Sequence, residues 1–273
     1  MTSPMPATAP PAVDWRGVPV DCAGCPQADR QRAGRCRPAH ACMQDRYAPR
    51  IDRFFRDNPD RADAALAHPY FEVRAVAARH ASPFRLPALL GDADETVRWS
   101  VAQRLPLAQL ARLVGDPDRE VRIRVAARLA PAALHRMIHD PDYYVRQIVA
   151  RRLPPAWLGL LLTDPDAEVR KILARRAGTA LRLRLLHDDD ADVRRVLAEH
   201  LPVPLLARLV DDPHWRVRHA VAARAAPAQL ARLQHDADEH VRRLARERLP
   251  AWAGGREARV AGDGGVPDRE PVA

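Results

Sequence analysis

The apolar residues of this chain return in a fixed order for most of its length. Val121, Val125, Ala126 and Leu129 lie at i, i+4, i+5 and i+8, the spacing of one helical face. A shorter cluster follows at Leu134, Met137 and Ile138, and the same cluster recurs at Leu158, Leu161, Leu162 and at Leu206, Leu209, Val210. Three-then-one spacing fits a short α or 3₁₀ turn, and the room between flanking prolines allows little more. No stretch alternates with period two, so no strand is expected. The pattern predicts a long helical piece and a short one, repeated.

The period is fixed by one dipeptide. Val-Arg stands at 73, 97, 121, 145, 169, 193, 217 and 241, always 24 residues apart. The unit is clearest in "DPDREVRIRVAARLAPAALHRMIH", from Asp116 to His139. Units of this size cannot bury their apolar faces alone and must stack, so the fold class is all-α, a helical repeat solenoid of about eight units. The first Asp of each Asp-Pro-Asp (Asp92, Asp116, Asp140 and so on) is expected to cap the long helix. Proline then takes the first helical position, and the second Asp adds charge to the first turn. Prolines such as Pro106, Pro154, Pro202 and Pro250 are expected to stop it.

This gives a division into residues 1–13, a disordered N-terminus; 14–50, a four-cysteine metal module; 51–67, the second half of an incomplete leading unit; 68–250, the solenoid; and 251–273, a Gly-rich disordered tail after a bare last helix.

Two basic columns run through the repeats. The arginine after each valine (Arg74, Arg98, Arg122, Arg146, Arg170, Arg194, Arg218, Arg242) projects into the apolar arc. An inward guanidinium needs a counter-charge, and the aspartate columns can supply one, which makes this a structural ladder. The second column is His80, Arg104, Arg128, Arg152, Arg176, His200, Arg224 and Arg248, on the border of the apolar face. Its arginines either cover the grooves between repeats with their stems or form a ridge that meets an acidic protein or a phosphate backbone. Arg104, Arg128, Arg152, Arg176, Arg224 and Arg248 are the candidate partner-binding residues. No aromatic column accompanies them, which argues against stacking on single-stranded nucleic acid.

Composition changes this picture little. The net charge is +9, but the 44 basic residues are interleaved with 35 acidic ones, as on a solvated, ion-paired surface. Lys171 is the only lysine, a bias that a GC-rich genome also produces. No apolar run approaches the roughly 20 residues of a membrane span, and the start lacks the features of a secretory signal, so the chain reads as soluble and cytoplasmic. The 11 histidines are scattered, and Trp99, Trp157, Trp215 and Trp252 read as packing residues. Neither a dinucleotide or phosphate loop nor a Ser/His/Asp set is present, and the expectation is a protein that is not an enzyme.

One segment stands apart. Cys22, Cys25, Cys36 and Cys42 hold all the sulfur of cysteine in the chain, spaced Cys-x2-Cys-x10-Cys-x5-Cys. In a reducing cytosol such a group indicates metal ligation. Four thiolates suit tetrahedral zinc or a [4Fe–4S] cluster. The opened second pair and the uneven loops favour the cluster and leave zinc as the alternative. Arg30, Arg32, Arg35 and Arg37 would offset the negative charge of either.

A cysteine-rich N-terminal segment followed by 24-residue units with Asp-Pro-Asp, Val-Arg, Arg-Leu-Pro and a leucine ending resembles the iron–sulfur leucine-rich repeat variant proteins, over about residues 20–250. The resemblance implies that Cys22, Cys25, Cys36 and Cys42 ligate a [4Fe–4S] cluster. It also implies alternating α and 3₁₀ helices in a right-handed superhelix, and an association with nitrogen-fixation genes. Three positions depart from the pattern: Arg182 stands at a leucine position, Gly178 replaces a stop proline, and His68-Pro69-Tyr70 replaces the first Asp-Pro-Asp. The expected role is a protein-interaction scaffold that binds another protein and responds to redox state, oxygen or iron. A zinc-capped adaptor without redox role and a nucleic-acid binder using the arginine ridge are the alternatives.

Overall fold

The computed structural model describes residues 11–260, with side chains to residue 249. The chain divides into two compact units, residues up to Val149 and residues from Ala150. Among the described residues there is no strand; two isolated β-bridges, Val13 with Pro19 and Arg37 with Ala41, both lie in the cysteine segment.

In the first unit the long helices are Phe71–His80, Glu95–Arg104 and Arg119–Arg128, with Tyr143–Arg152 reaching the boundary. The short pieces are Leu86–Leu89 and Pro131–Met137, both 3₁₀, and Leu107–Leu110, an α turn that tightens to 3₁₀ over Ala111–Leu113. Successive long helices pack side by side. Val97, Val101 and Leu105 from one piece and Leu110 from the next are fully buried between them. Each such leucine contributes roughly 1.5–3 kcal/mol by leaving water. The period is therefore a packing requirement.

The second unit repeats the design with Ala167–Arg176, Ala191–His200, Trp215–Ala222 and Glu239–Val260. Its short pieces are 3₁₀ at Pro155–Leu161 and Val203–Leu209 and α at Thr179–Leu183 and Pro227–Leu233. The last helix carries on through Pro250, which was expected to end it, and covers the first ten residues of the expected tail. No second short helix follows in residues 251–260 to turn the chain back onto the stack. Residues 261–273 of that tail and 1–10 of the expected N-terminal tail lie outside the described residues, while Val13 is held by its bridge to Pro19.

The two aspartates of each Asp-Pro-Asp exchange the roles expected from sequence. The second one caps: Asp118 accepts the N–H of Glu120 at 2.9 Å and of Val121 at 3.1 Å, and Asp190 accepts those of Asp192 and Val193. Proline thus sits one residue before the cap rather than at the first helical position, where its ring favours the extended backbone of the approach. The first aspartate turns to the ladder. Asp116 takes Nε and Nη2 of Arg98 at 2.8 and 3.0 Å, while Nη1 of Arg98 donates to the Asp92 carbonyl at 2.8 Å. Arg74–Asp92 and Arg122–Asp140 in the first unit, and Arg170–Asp188, Arg194–Asp212 and Arg218–Asp236 in the second, are the same ion pair. The ladder expected from the inward arginines is present, always to the aspartate 18 residues on.

Candidate metal centre

The four cysteines are presented by loops folded against the first unit. Cys25 leads into a one-turn helix, Ala28–Arg32, which Gly34 ends at φ +71°, a backbone that side chains rarely adopt. A tight hairpin joins Cys36 to Cys42, with Arg37 and Ala41 exchanging backbone hydrogen bonds at 2.8 and 2.9 Å. The helix Ala48–Asp57 follows, and it packs on Phe71–His80.

This cap helix is a long helix of the repeat in disguise. Arg50 lies 24 residues before Arg74 and carries the ladder's arginine, although Pro49 replaces the valine. The sequence reading placed only the second half of a leading unit here, because the dipeptide it followed is broken. The carboxylate 18 residues on is His68, so Arg50 pairs instead with Asp45 at 2.9 Å, both almost fully buried (2% and 1% exposed). The Arg50 carbonyl accepts the N–H of Cys42 at 3.1 Å. Asn58, also buried, donates from Nδ2 to the carbonyls of Arg35 and Phe54, each at 2.9 Å, which fixes the strand of chain ahead of Cys36. Salt bridges from Arg30 to Asp60 and from Arg61 to Asp29 hold the one-turn helix to the same unit. Arg30, expected to offset cluster charge, is thus spent on carboxylates.

All four thiols are free and electrostatically coupled. The Cys36 thiol donates to the Cys42 sulfur. That bond, with burial, pushes Cys36 far up, and it is the main reason Cys42 falls to about 7; N–H groups of Gln44 and Asp45 add to it. Burial, then the nearness of Cys42 and Cys25, raises Cys22. Gln27 N–H donates to Cys25 Sγ at 3.4 Å. Four mutually repelling thiolates with backbone N–H groups aimed at sulfur are a donor set for a soft cation, and both zinc and an iron–sulfur cluster fit it. Among the described residues no group of three or more His, Cys, Asp or Glu is closed up around a single metal ion.

The six arginines proposed for partner binding are nowhere gathered at this centre. They run along the repeats, half-buried, and their donors are committed within the chain. Arg104 gives Nη1 to the carbonyls of Ala78 and Ala81, and Arg128 gives Nη1 and Nη2 to those of Ala102 and Leu105. In the second unit Arg176 reaches Ala150 and Leu153, Arg224 reaches Ala198 and Leu201, and Arg248 reaches Ala222 and Ala225. Arg152 shares their register and is likewise not without a partner. The column satisfies the open carbonyl ends of the preceding long helices. At its start His80 meets Asp52 of the cap helix at 3.0 Å.

Fold and site together define a helical-repeat protein with an N-terminal four-cysteine module. Residues 12–64 match the family described as the FeS4 cluster of leucine-rich repeat variant proteins, and residues 143–166 match the leucine-rich repeat variant itself. A solved structure described as a leucine-rich repeat variant with a novel repetitive protein structural motif is similar at 41% identity and a TM-score of 0.78, over 84% of this chain and 99% of that one. An uncharacterized 27.7 kDa protein in the nifB 3′ region of Rhodobacter capsulatus is 50% identical over 99 residues. That match spans 36% of this chain and 40% of that protein. The chain belongs to the leucine-rich repeat variant proteins that carry the iron–sulfur module. Among the described residues no helix is long and apolar enough to cross a membrane.

Proposed function

We propose that this chain is a cytoplasmic, non-enzymatic [4Fe–4S] protein whose repeats bind another protein and whose centre makes that binding responsive to redox state, oxygen or iron. The observation that carries this reading is the join between centre and repeats. Cys42 is bonded to the backbone of Arg50, and Arg50 is the first arginine of the repeat ladder. The state of the thiols is therefore felt at the start of the stack. Cys22, Cys25, Cys36 and Cys42 would hold the cluster, which supplies one-electron redox chemistry when bound. The chain's own part is to position the sulfurs, aim N–H groups at Cys25 and Cys42, and bury the Cys36–Cys42 side. The relative beside nifB supports a setting in nitrogen fixation.

Anaerobic purification with iron and sulfide analysis tests the reading. Brown protein absorbing near about 400 nm, with about four irons per chain, is the expected result. Colourless protein with one zinc would replace the cluster by the zinc-capped adaptor.

A further inference from the structure

The centre has two unlike sides. Cys36 and Cys42 are 4% and 2% exposed and face the repeats, whereas Cys22 and Cys25 are half-exposed. A cleft of about 510 Å³ opens on this second side, with Cys25 and Gln44 in its lining. Its walls are Trp15, Val18 and Pro19, and Val18 is 55% exposed. The Trp15 ring is fixed from behind, edge-on to His68 at 4.8 Å and stacked on Tyr70 at 6.0 Å. A rigid aromatic wall over a metal-ligand cysteine is not needed to close the repeat stack, whose first helix is already covered by Ala48–Asp57.

The charges around the cleft are committed elsewhere. Asp14 accepts the N–H groups of Arg16 and Val18, each at 2.9 Å, and Asp21 accepts that of Ala23 at 2.8 Å. Arg16 lies over the Trp15 ring at 5.1 Å. What remains open to a ligand is apolar wall and one sulfur.

We infer that this cleft is the approach by which small uncharged oxidants, dioxygen above all, reach the centre, and that they reach it at Cys25. The cleft takes a neutral molecule without desolvating a charge, and it ends at the one exposed pair of ligands. The buried Cys36–Cys42 side is shielded by the hairpin and the cap helix, so oxidation begins at the corner farthest from Arg50.

The dioxygen arm of the test rests on the iron–sulfur reading, and a second arm does not. A Cβ added at Gly24 meets nothing within 4 Å, so Gly24→Trp can fill the cleft without moving the backbone. His40→Trp, on the exposed hairpin at the other side, is the control. In anaerobically loaded protein exposed to air, Gly24→Trp should retain its iron before exposure and bleach several-fold more slowly, while His40→Trp bleaches at the wild-type rate. Equal bleaching in all three overturns the inference. In metal-free protein treated with iodoacetamide, which is also small and uncharged, mass spectrometry should find Cys25 alkylated before Cys36 and Cys42. Gly24→Trp should slow Cys25 several-fold and His40→Trp should not. Cys25 reacting no faster than the buried pair, or unaffected by Gly24→Trp, overturns the inference whatever metal the protein carries. Protein that never takes up iron but shows the alkylation pattern would sink the cluster and leave the cleft standing.

Discussion

Arg182 does the work that residue 200 cannot. Every arginine of the second column reaches the carbonyl 26 residues earlier, as Arg224 does to Ala198 at 2.7 Å. At position 200 the column has histidine, whose Nδ1 contacts its own helix at Val196. The carbonyl left over belongs to Ala174, and Arg182 donates Nε to it at 2.9 Å. The same guanidinium reaches Arg175 at 2.8 Å and the His200 carbonyl at 2.9 Å. Two departures from the repeat, an arginine at a leucine position and a histidine in a basic column, are one exchange.

Restoring the repeat at only one of these positions is therefore predicted to harm it. Arg182→Leu should lose about 1–3 kcal/mol, the worth of charge-assisted bonds to otherwise open carbonyls. Adding His200→Arg should recover most of that loss. Denaturant unfolding of the wild type, both singles and the double mutant measures the coupling, and additive effects would refute the exchange.

The two aspartates of one motif should differ in cost. Asp116→Ala leaves the Arg98 guanidinium, only 10% exposed, without its carboxylate, for a loss of about 2–4 kcal/mol. Asp118→Ala removes a helix cap, for about 1 kcal/mol. Thermal melts of the pair decide it. A larger effect at Asp118 would restore the capping role that the sequence reading gave to the first aspartate.

At the centre, Asp45→Asn should lower iron content as well as stability. Arg50 would lose its buried counter-charge, at about 3–5 kcal/mol, and with it the backbone that holds Cys42. Iron per chain and the melting curve are the readouts. Normal iron loading in this variant would mean that Arg50 does not position the cysteine loop.

The ladder also fixes a response to acid. Burial would raise the carboxyls of Asp92 and Asp236, but bonds from Arg74 and Arg218 and from the N–H groups of Asp94 and Asp238 outweigh it and hold both below the usual carboxylate range. A depressed folded-state value stabilises above the unfolded value, and that contribution is lost as pH falls through the folded one. Stability should be flat around neutrality and fall only below the ordinary carboxylate range. Asp92→Asn should be less stable at pH 7 and show a shallower acid limb when unfolding is followed across pH.

The repeat was legible because its packing demands a strict period. The unit length, the helical class and the inward arginine all followed from Val-Arg and the leucines. The division of labour between the aspartates was not, since either one can start a helix and only the arginine of the preceding unit selects the first. Arg50 escaped notice because proline replaced its valine, yet its spacing from Arg74 was a usable signal. At the centre the four cysteines were evident from composition. Trp15, Asp45 and Asn58, which shape and hold the site, belong to no periodic pattern and meet the cysteines only in three dimensions.

Within each unit every junction is closed by the same two fasteners, one arginine to an aspartate 18 residues on and one arginine back to carbonyls 23 and 26 residues earlier. Both lie within about one period, so an in-frame duplication or deletion of 24 codons carries its own joints with it. Such a gene can lengthen or shorten by slippage and still encode a closed stack, whereas the cysteine segment, fastened by contacts that occur once, has no spare copy to lose.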